Sequence, residues 1–327
     1  MRTIFVINPK AGQGKNIEKL VENIKQTAKN LGKEIEIYIT KKVNDAEKFV
    51  RNICQSDKNE LSFFACGGDG TVNEVLNGAF GFNNASIGVI PIGTGNDFCR
   101  NFPEAGDFLN IESQLNAKKV CVDAIKYHGK IDGREQTRYC ANMFNIGFDC
   151  NVADLTSKLK QKPFITGSFA YLLAVLIILI KKRGANLKIK LDNNIYNSGN
   201  LLLTSVANGG FCGGGINSNP NACIDDGIMD VNIINDVPRI KFLKLFPRYS
   251  DGSFLNLKGI DKIVKVVKCK KASIIPLDGK MRLCTDGEIS NAESIEFEII
   301  NNAFNFLIPA KSWLIAKWAS GYIKMIF

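Results

Sequence analysis

Leu61-Ser62-Phe63-Phe64-Ala65-Cys66-Gly67-Gly68-Asp69-Gly70-Thr71-Val72-Asn73 is the stretch from which the fold is read. Leu61–Cys66 has the composition of a buried strand. Gly67–Thr71 is a sharp turn, and Val72, Val75 and Leu76 carry the apolar side of a short helix beyond it. Working back from there, Ile4–Ile7 is a strand that runs into the Gly-rich turn Asn8-Pro9-Lys10-Ala11-Gly12-Gln13-Gly14-Lys15. Ile17, Leu20, Val21, Ile24, Ala28 and Leu31 then recur at helical spacing. Ile35, Ile37 and Ile39 alternate with polar residues as in a strand, and Ala46, Phe49, Val50 and Ile53 mark a second helix. Working forward, Ser86–Ile92 is a fourth strand, ending in the turn Gly93-Thr94-Gly95-Asn96-Asp97. Repeated βα units of this kind predict a parallel sheet with helices on its faces.

The pattern changes after about Asp123. Leu187–Leu191, Leu201–Val206, Met229–Ile234, Ile263–Val267 and Ile295–Ile300 are short and β-like, which predicts a second, mainly antiparallel domain. The apolar stretch Phe169–Ile180 is the exception. It is shorter than the ~20 residues that span a bilayer, so a buried helix is expected there. No internal repeat and no low-complexity linker is visible, so the two domains are expected to pack directly.

The chain has 327 residues, enough for two domains with their own cores. Its net charge of +10 favours anionic partners such as nucleotides, nucleic acid or anionic lipid, although a generally basic surface would give the same sum. Ten cysteines are scattered with no CxxC pair, and His128 is the only histidine, so zinc is not expected. Several cysteines lie in apolar runs, as reduced core thiols do, which suggests a reducing compartment. Ile4–Ile7 is too short for the apolar part of a secretory signal.

In an open parallel sheet, ligands bind beyond the carboxyl ends of the strands. Gly67–Asn73 and Gly93–Asp97 both lie there, and Asn8–Lys15 ends a third strand. Glycines let backbone N–H groups approach phosphate oxygens, and the helix that follows adds its partial positive charge. Asp69 and Asp97 offer hard oxygen ligands for magnesium, directly or through water. One such turn alone could be a plain strand-to-helix connection; three at neighbouring strand ends point to a nucleotide. Neither GxxxxGK[ST] nor GxGxxG occurs at the first turn, which disfavours a P-loop NTPase and an ordinary dinucleotide-binding dehydrogenase.

Taken together, Asn8–Gly12, Gly67-Gly68-Asp69-Gly70-Thr71-Val72-Asn73-Glu74-Val75 and Gly93-Thr94-Gly95-Asn96-Asp97 resemble the diacylglycerol kinase catalytic-domain superfamily, and its bacterial soluble lipid kinases in particular. The resemblance continues through Gly213-Gly214-Gly215, Pro220–Asp230 with its Asp225-Asp226-Gly227, and Asp286-Gly287-Glu288. It covers roughly residues 1 to 309. It implies an α/β + β architecture: an N-terminal NAD-kinase/phosphofructokinase-like α/β domain over residues 1–125, then a mainly antiparallel β-sandwich lipid-substrate domain over residues 126–309. Residues 310–327 would form a basic amphipathic tail.

By the same resemblance, ATP would be contacted by Asn8, Pro9, Lys10, Ala11, Gly12, Thr40, Gly67, Gly68, Asp69, Gly70, Thr71, Val72, Asn73 and Thr94. Lys15 would lie near the nucleotide and Arg100 would face its phosphates; a solvated helix-start lysine and an ordinary surface arginine are the plain alternatives. Asp69, Asp97 and Asp123 would form an acidic magnesium network. Glu288 would be the general base, paired across a cleft with Asp69, which with Asp97 completes the catalytic set. A structural Mg2+ would take a side-chain oxygen of Asp226 and the backbone carbonyls of Cys223 and Ile228, where an Asp-Gly hairpin is the simpler alternative. Relatives also carry a basic residue just before the helix matching Phe169–Ile180; residues 158–168 do not single one out.

The implied reaction is transfer of the ATP γ-phosphate to a lipid hydroxyl, with diacylglycerol as leading substrate and phosphatidic acid as product. Sphingoid bases, ceramide or phosphatidylglycerol serve relatives with similar loops. NAD kinases share Gly67–Thr71, but Gly93–Asp97 and Asp286–Glu288 match lipid kinases better. A regulator that binds nucleotide or lipid without catalysis is a third class, disfavoured by the presence of Asp69 and Glu288. The expected partner is a lipid at a membrane surface and not nucleic acid; the expected location is cytoplasmic with peripheral membrane contact, and a homodimer is the assembly relatives suggest. In the tail, Leu314, Ile315, Trp318, Tyr322, Met325 and Ile326 share a helical face opposite Lys317, Ser320 and Lys324, which suits a bilayer interface or packing on the protein or a second subunit.

Overall fold

A computed structural model describes residues 1–14, 16–160, 174, 177–178 and 184–311. The chain divides into two compact units. The first comprises Met1–Ala124, Cys223–Gly227 and the described residues from Ile300 onward; the second comprises Ile125–Ala222 and Ile228–Ile299.

The first unit is built on strands β1 (Arg2–Ile7), β2 (Glu36–Ile39), β3 (Leu61–Gly67) and β4 (Ala85–Pro91), which alternate with helices α1 (Ile17–Asn30), α2 (Asp45–Ser56) and α3 (Asp69–Ala79). All pairings are parallel, in the order β2-β1-β3-β4. A strand returning from late in the chain closes the free side of β4, pairing Asn305 with Ser86 and Phe306 with Ile87, also in parallel. Every residue of β3 is buried. A strand covered on both faces needs the near-continuous apolar sequence that Leu61–Cys66 supplies. Helix α1 turns Ile24 and Ala28 into a core shared with Phe5, Ile7, Phe64 and Ile90.

Helix α3 is buried over most of its length. It lies close against α2 because position 78 is glycine: a Cβ there would stand 2.7 Å from the Glu47 carbonyl oxygen and 2.8 Å from the Val50 Cβ. Glu74 of the same helix accepts hydrogen bonds from the Asn44 N–H (2.9 Å) and the Ala46 N–H (3.1 Å). It thereby satisfies donors at the start of α2 that no turn of helix can reach.

The second unit is antiparallel. Its strands are the end of β5 (Lys118–Ile131), β6 (Arg134–Cys140), β7 (Met143–Gly147), β8 (Ala185–Leu191), β9 (Asn194–Leu201), β10 (Leu203–Ala207), the short β11 (Phe211–Cys212) and β12 (Ile216–Asn217), β13 (Met229–Ile234), β14 (Val264–Cys269), β15 (Lys271–Pro276), β16 (Met281–Thr285) and the start of β17 (Glu288–Ile308). The pairing path runs β14-β13-β10-β7-β16-β17 and continues through β15 to β8 and β9. Ile189 of β8 and Ile274 of β15 share one core with Phe144, Val206 and Val231, so the two stretches of sheet face each other. This is the expected β-sandwich. Leu201–Val206, which reads as one β segment, is divided at Leu202. There the chain leaves one pairing for another, and the Leu202 N–H bonds to the Ile234 carbonyl. The helix Arg239–Ser250 carries no apolar run and is not foreseen by the sequence patterns above. Ala174 and Ile178, from the expected buried helix, are helical and buried.

Candidate active site

The glycine turns of the first unit meet backbone to backbone. A Cβ on Gly93 would lie 2.3 Å from the Gly68 Cα, so the turn after β4 rests directly on the turn after β3. A Cβ on Gly12 would come within 2.6 Å of the Ile92 carbonyl oxygen, which brings the turn after β1 to the same strand end; Gly12 also has a φ of +57°. Asn8 donates to the Thr71 hydroxyl (3.2 Å) and receives the Lys10 N–H (3.0 Å), linking the first turn to the start of α3. Thr40 is buried at the end of β2, its N–H on the Ile7 carbonyl (2.9 Å). Asn8, Lys10, Gly12, Gly67–Asn73 and Thr94 are thus gathered at the carboxyl ends of adjacent parallel strands, where such sheets bind ligands.

Asp69 opens α3 and holds the neighbouring turn. Its carboxylate accepts the Phe98 N–H at 3.1 Å. Burial pushes its carboxyl above the ordinary carboxylate range, against the opposing pull of the Phe98, Asp97 and Asn96 N–H groups. Asn96 ties the turn internally: it sits at φ +57°, accepts the Gly93 N–H (3.1 Å) and donates to the Pro91 and Gly93 carbonyls. One point beside Gly95, where a Cβ would be, lies 3.0 Å from Asp69 Oδ2 and 3.4 Å from Asp97 Oδ2. Arg100 is exposed, with its Nε 3.6 Å from Asp97 Oδ1 and a guanidinium N–H on the Gly95 carbonyl. Two carboxylates beside a bed of backbone N–H groups suit magnesium, which is commonly held by one or two carboxylates and completed by water and phosphate oxygens.

Asp123 has a different neighbourhood. It is fully buried and accepts the Gly227 N–H (2.6 Å) and the Asn302 N–H (2.7 Å). Burial pushes its carboxyl up, and the nearby charges of Asp225 and Asp226 add to that. It therefore pins the Cys223–Gly227 loop and the strand at Asn302 to the first unit. Among the described residues no three His, Cys, Asp or Glu side chains are grouped to hold a metal. Asp69 and Asp97 are brought together; Asp123 belongs with the loop. The Cys223 thiol donates to Asp225 Oδ1 (3.0 Å) and is pushed up to about 12 by burial and that bond, so it stays protonated. Any cation at this loop is left with oxygen donors, of which Asp226 is exposed.

In the second unit, Thr285-Asp286-Gly287-Glu288 is a two-residue hairpin joining β16 to β17, with Thr285 opposite Glu288. Asp286 at φ +45° and Gly287 at φ +90° give the left-handed pair that matches strand twist in such turns. Asp286 is anchored from outside the hairpin. It accepts the Met143 N–H (3.1 Å) and the Cys140 S–H (3.1 Å), and returns its own N–H to the Met143 carbonyl (3.2 Å). Glu288, exposed, leaves this fixed turn as the first residue of β17. Gly213, Gly214 and Gly215, all at positive φ, form the tip between β11 and β12.

The capping by Glu74 and the anchoring of Asp286 by Cys140 escape sequence inspection, since each joins residues far apart in the chain. Lys15, residues 161–168 and residues 312–327 lie outside the described residues.

Comparison with known proteins agrees with this architecture. Residues 2–139 match the family described as the diacylglycerol kinase catalytic domain. Residues 142–308 match the YegS C-terminal NAD kinase beta sandwich-like domain. A Staphylococcus aureus protein named "Putative lipid kinase" is 26% identical over 297 residues, spanning 90% of this chain and 92% of its own. The crystal structure of "a putative diacylglycerol kinase" from Bacillus anthracis is similar with a TM-score of 0.70 at 25% identity, over 94% of this chain and 96% of that one. A further B. anthracis structure, described as one of a diacylglycerol kinase, has a TM-score of 0.65 at 22% identity, over 94% and 97% of the two chains.

Proposed function

The chain belongs to the lipid-kinase family that joins a diacylglycerol kinase catalytic domain to a YegS-type C-terminal β-sandwich, and on that premise we propose that it phosphorylates diacylglycerol with ATP, giving phosphatidic acid. The observation that carries the proposal is the backbone contact of Gly68 with Gly93 beside the Asp69–Asp97 pair. Such a surface offers N–H donors and a helix start to phosphates, and a hard acidic edge to their counter-ion. Phosphoryl transfer needs chiefly positioning and charge stabilisation. Asn8, Lys10, Gly12 and Gly67–Asn73 would seat the nucleotide, with Thr40 and Thr94 at the margin and Arg100 toward the phosphates. Asp69 and Asp97 would hold magnesium, which when bound offsets the charge of the phosphate chain. The loop of Cys223, Asp226 and Ile228 would hold a second, structural magnesium.

Glu288 is assigned as general base. As the lipid hydroxyl oxygen attacks the γ-phosphorus, its proton passes to the carboxylate; the bond to the β-phosphate oxygen breaks and ADP leaves. The substrate is met at a membrane surface, with the protein cytoplasmic and peripheral. The test uses purified protein, magnesium, labelled ATP and a panel of diacylglycerol, sphingosine, ceramide, phosphatidylglycerol and NAD. Label in phosphatidic acid is the expected outcome, and Glu288→Gln is expected to lower transfer by at least ~100-fold while ATP still binds. Full activity in that variant removes the base assignment; labelled NADP removes the lipid assignment.

A further inference from the structure

We propose that the helix Arg239–Ser250 is a docking element that seats its outer face on an anionic lipid bilayer. Its sequence, Arg239-Ile240-Lys241-Phe242-Leu243-Lys244-Leu245-Phe246-Pro247-Arg248-Tyr249-Ser250, contains four bases and no acid. The inner face is already satisfied. Phe242 and Tyr249 are buried, and Leu245 and Phe246 are partly buried in the core with Phe148, Phe254 and Ile263. The outer face is unusual for water. Ile240 is 71% exposed and Leu243 47% exposed, and Pro247 is exposed as well. Residues 240, 243 and 247 fall on one side of a helix, so the three form an apolar stripe at the crest opposite the buried side. Lys241, Lys244 and Arg248 flank that stripe and are all exposed.

Single exposed aliphatic residues are ordinary. An apolar crest bordered by bases is the pattern of helices that lie in the headgroup layer, where apolar side chains enter the acyl boundary and cations meet lipid phosphates. The cavity beneath this helix, lined by Leu202, Phe242, Phe246, Tyr249 and Val264, is ≈ 40 Å³, well short of a lipid-sized pocket. That leaves the outer face for contact. A second copy of the chain is the poorer occupant. A two-fold contact sets a patch against itself, and here would oppose four bases with four bases. Asp236 and Asp251 bracket the helix, and Asp251 is engaged with Ser253 (2.8 Å).

The docking inference rests on the lipid-kinase reading for its purpose, but not for the binding it predicts. Full-length protein is sedimented with vesicles of phosphatidylcholine alone and of phosphatidylcholine with phosphatidylglycerol in equal parts. Wild type is expected to bind the anionic vesicles only. Lys241→Glu/Lys244→Glu is expected to weaken that binding at least ~10-fold, and Ile240→Ser/Leu243→Ser to a similar extent. Both pairs are exposed, so circular dichroism and Tm should match wild type, as should phosphorylation of a short-chain, monomeric diacylglycerol. Wild type that ignores anionic vesicles, or variants that bind them unchanged, overturn the proposal. So does a wild-type dimer that the variants dissociate with no change in vesicle binding, which would assign the face to a second copy. If vesicle binding falls in the variants but no diacylglycerol is phosphorylated, docking stands and the substrate reading fails.

Discussion

Gly93→Ala tests the contact on which the nucleotide site depends. Gly93 is not at positive φ, so alanine meets no left-handed strain there and the steric clash dominates. The added Cβ would sit 2.3 Å from the Gly68 Cα, 2.9 Å from the Gly68 nitrogen and 2.8 Å from Asn96 Oδ1. Carbon atoms rest at about 3.5–4.0 Å, so the two turns must part by roughly 1.2 Å or more. Asn96 cannot swing aside freely, because its amide holds the Pro91 and Gly93 carbonyls. Overpacking of this kind costs about 2 kcal/mol, which lowers Tm by roughly 4–8 °C for a unit of this size. Activity should fall further than stability. A misplacement of about 1 Å can cost on the order of 100-fold in rate. Gly106→Ala is the control: no atom lies within 4 Å of its Cβ and its φ is not positive, so it should be neutral or slightly stabilising. Calorimetry and steady-state phosphorylation of diacylglycerol read both variants. A Gly93→Ala protein with wild-type Tm and wild-type kcat would show that the turns do not meet as described.

Glu74→Ala removes the acceptor for two N–H groups at the start of α2 and should cost about 1 kcal/mol, read by urea unfolding; no change in midpoint would deny the capping role. Asp154 pairs with the two terminal guanidinium nitrogens of Arg282 (2.9 and 3.0 Å) and with Lys158 (2.7 Å). The Arg282 hydrogen bonds, aided by Lys158, hold its carboxyl below the ordinary range. A carboxyl lowered by folding contributes stability above its unfolded value, near pH 4, and loses it as pH falls through the folded value. With Arg282 38% exposed, solvent screening limits the pair to about 1 kcal/mol. Asp154→Asn should therefore be less stable than wild type at pH 7, by a gap that narrows as pH is taken down below about 4; a gap that keeps its size throughout acid titration would remove the ion pair as its cause.

Much of the fold was open to inspection because its signals are local. A fully buried parallel strand needs an apolar run, and Leu61–Cys66 is one. A half-covered edge strand needs alternation, and Ile35, Ile37 and Ile39 show it. The turns that gather the candidate site were visible for the same reason, since each is a short glycine-rich string at the end of a strand. The remainder depends on partners far along the chain. Nothing local to Asn305 and Phe306 says that they pair with Ser86 and Ile87. Asn145, Ser205 and Asn232 are polar residues of a kind that favours loops, yet they sit opposite one another in a buried row across β7, β10 and β13. The helix Arg239–Ser250 is hidden by its dense bases and by Pro247, which normally ends a helix. Residue identity alone separates Asp69 from Asp123 no better: both are aspartates in or beside glycine- or β-rich segments, and their burial and hydrogen-bond partners divide a turn-holding carboxylate from a loop-pinning one.

The late strand that covers β4 also has a meaning in time. During synthesis, β1 to β4 leave the ribosome long before Asn305 and Phe306 do. Throughout that interval the Ala85–Pro91 edge offers unpaired backbone groups, the template on which foreign strands add. Sequence-distant pairing of this kind slows folding, because loop closure must precede the contacts that reward it. The nascent first unit therefore waits, with one flank open, for Asn305 and Phe306 to emerge. Chaperone dependence and losses to aggregation during expression should concentrate in that window and not in the finished protein.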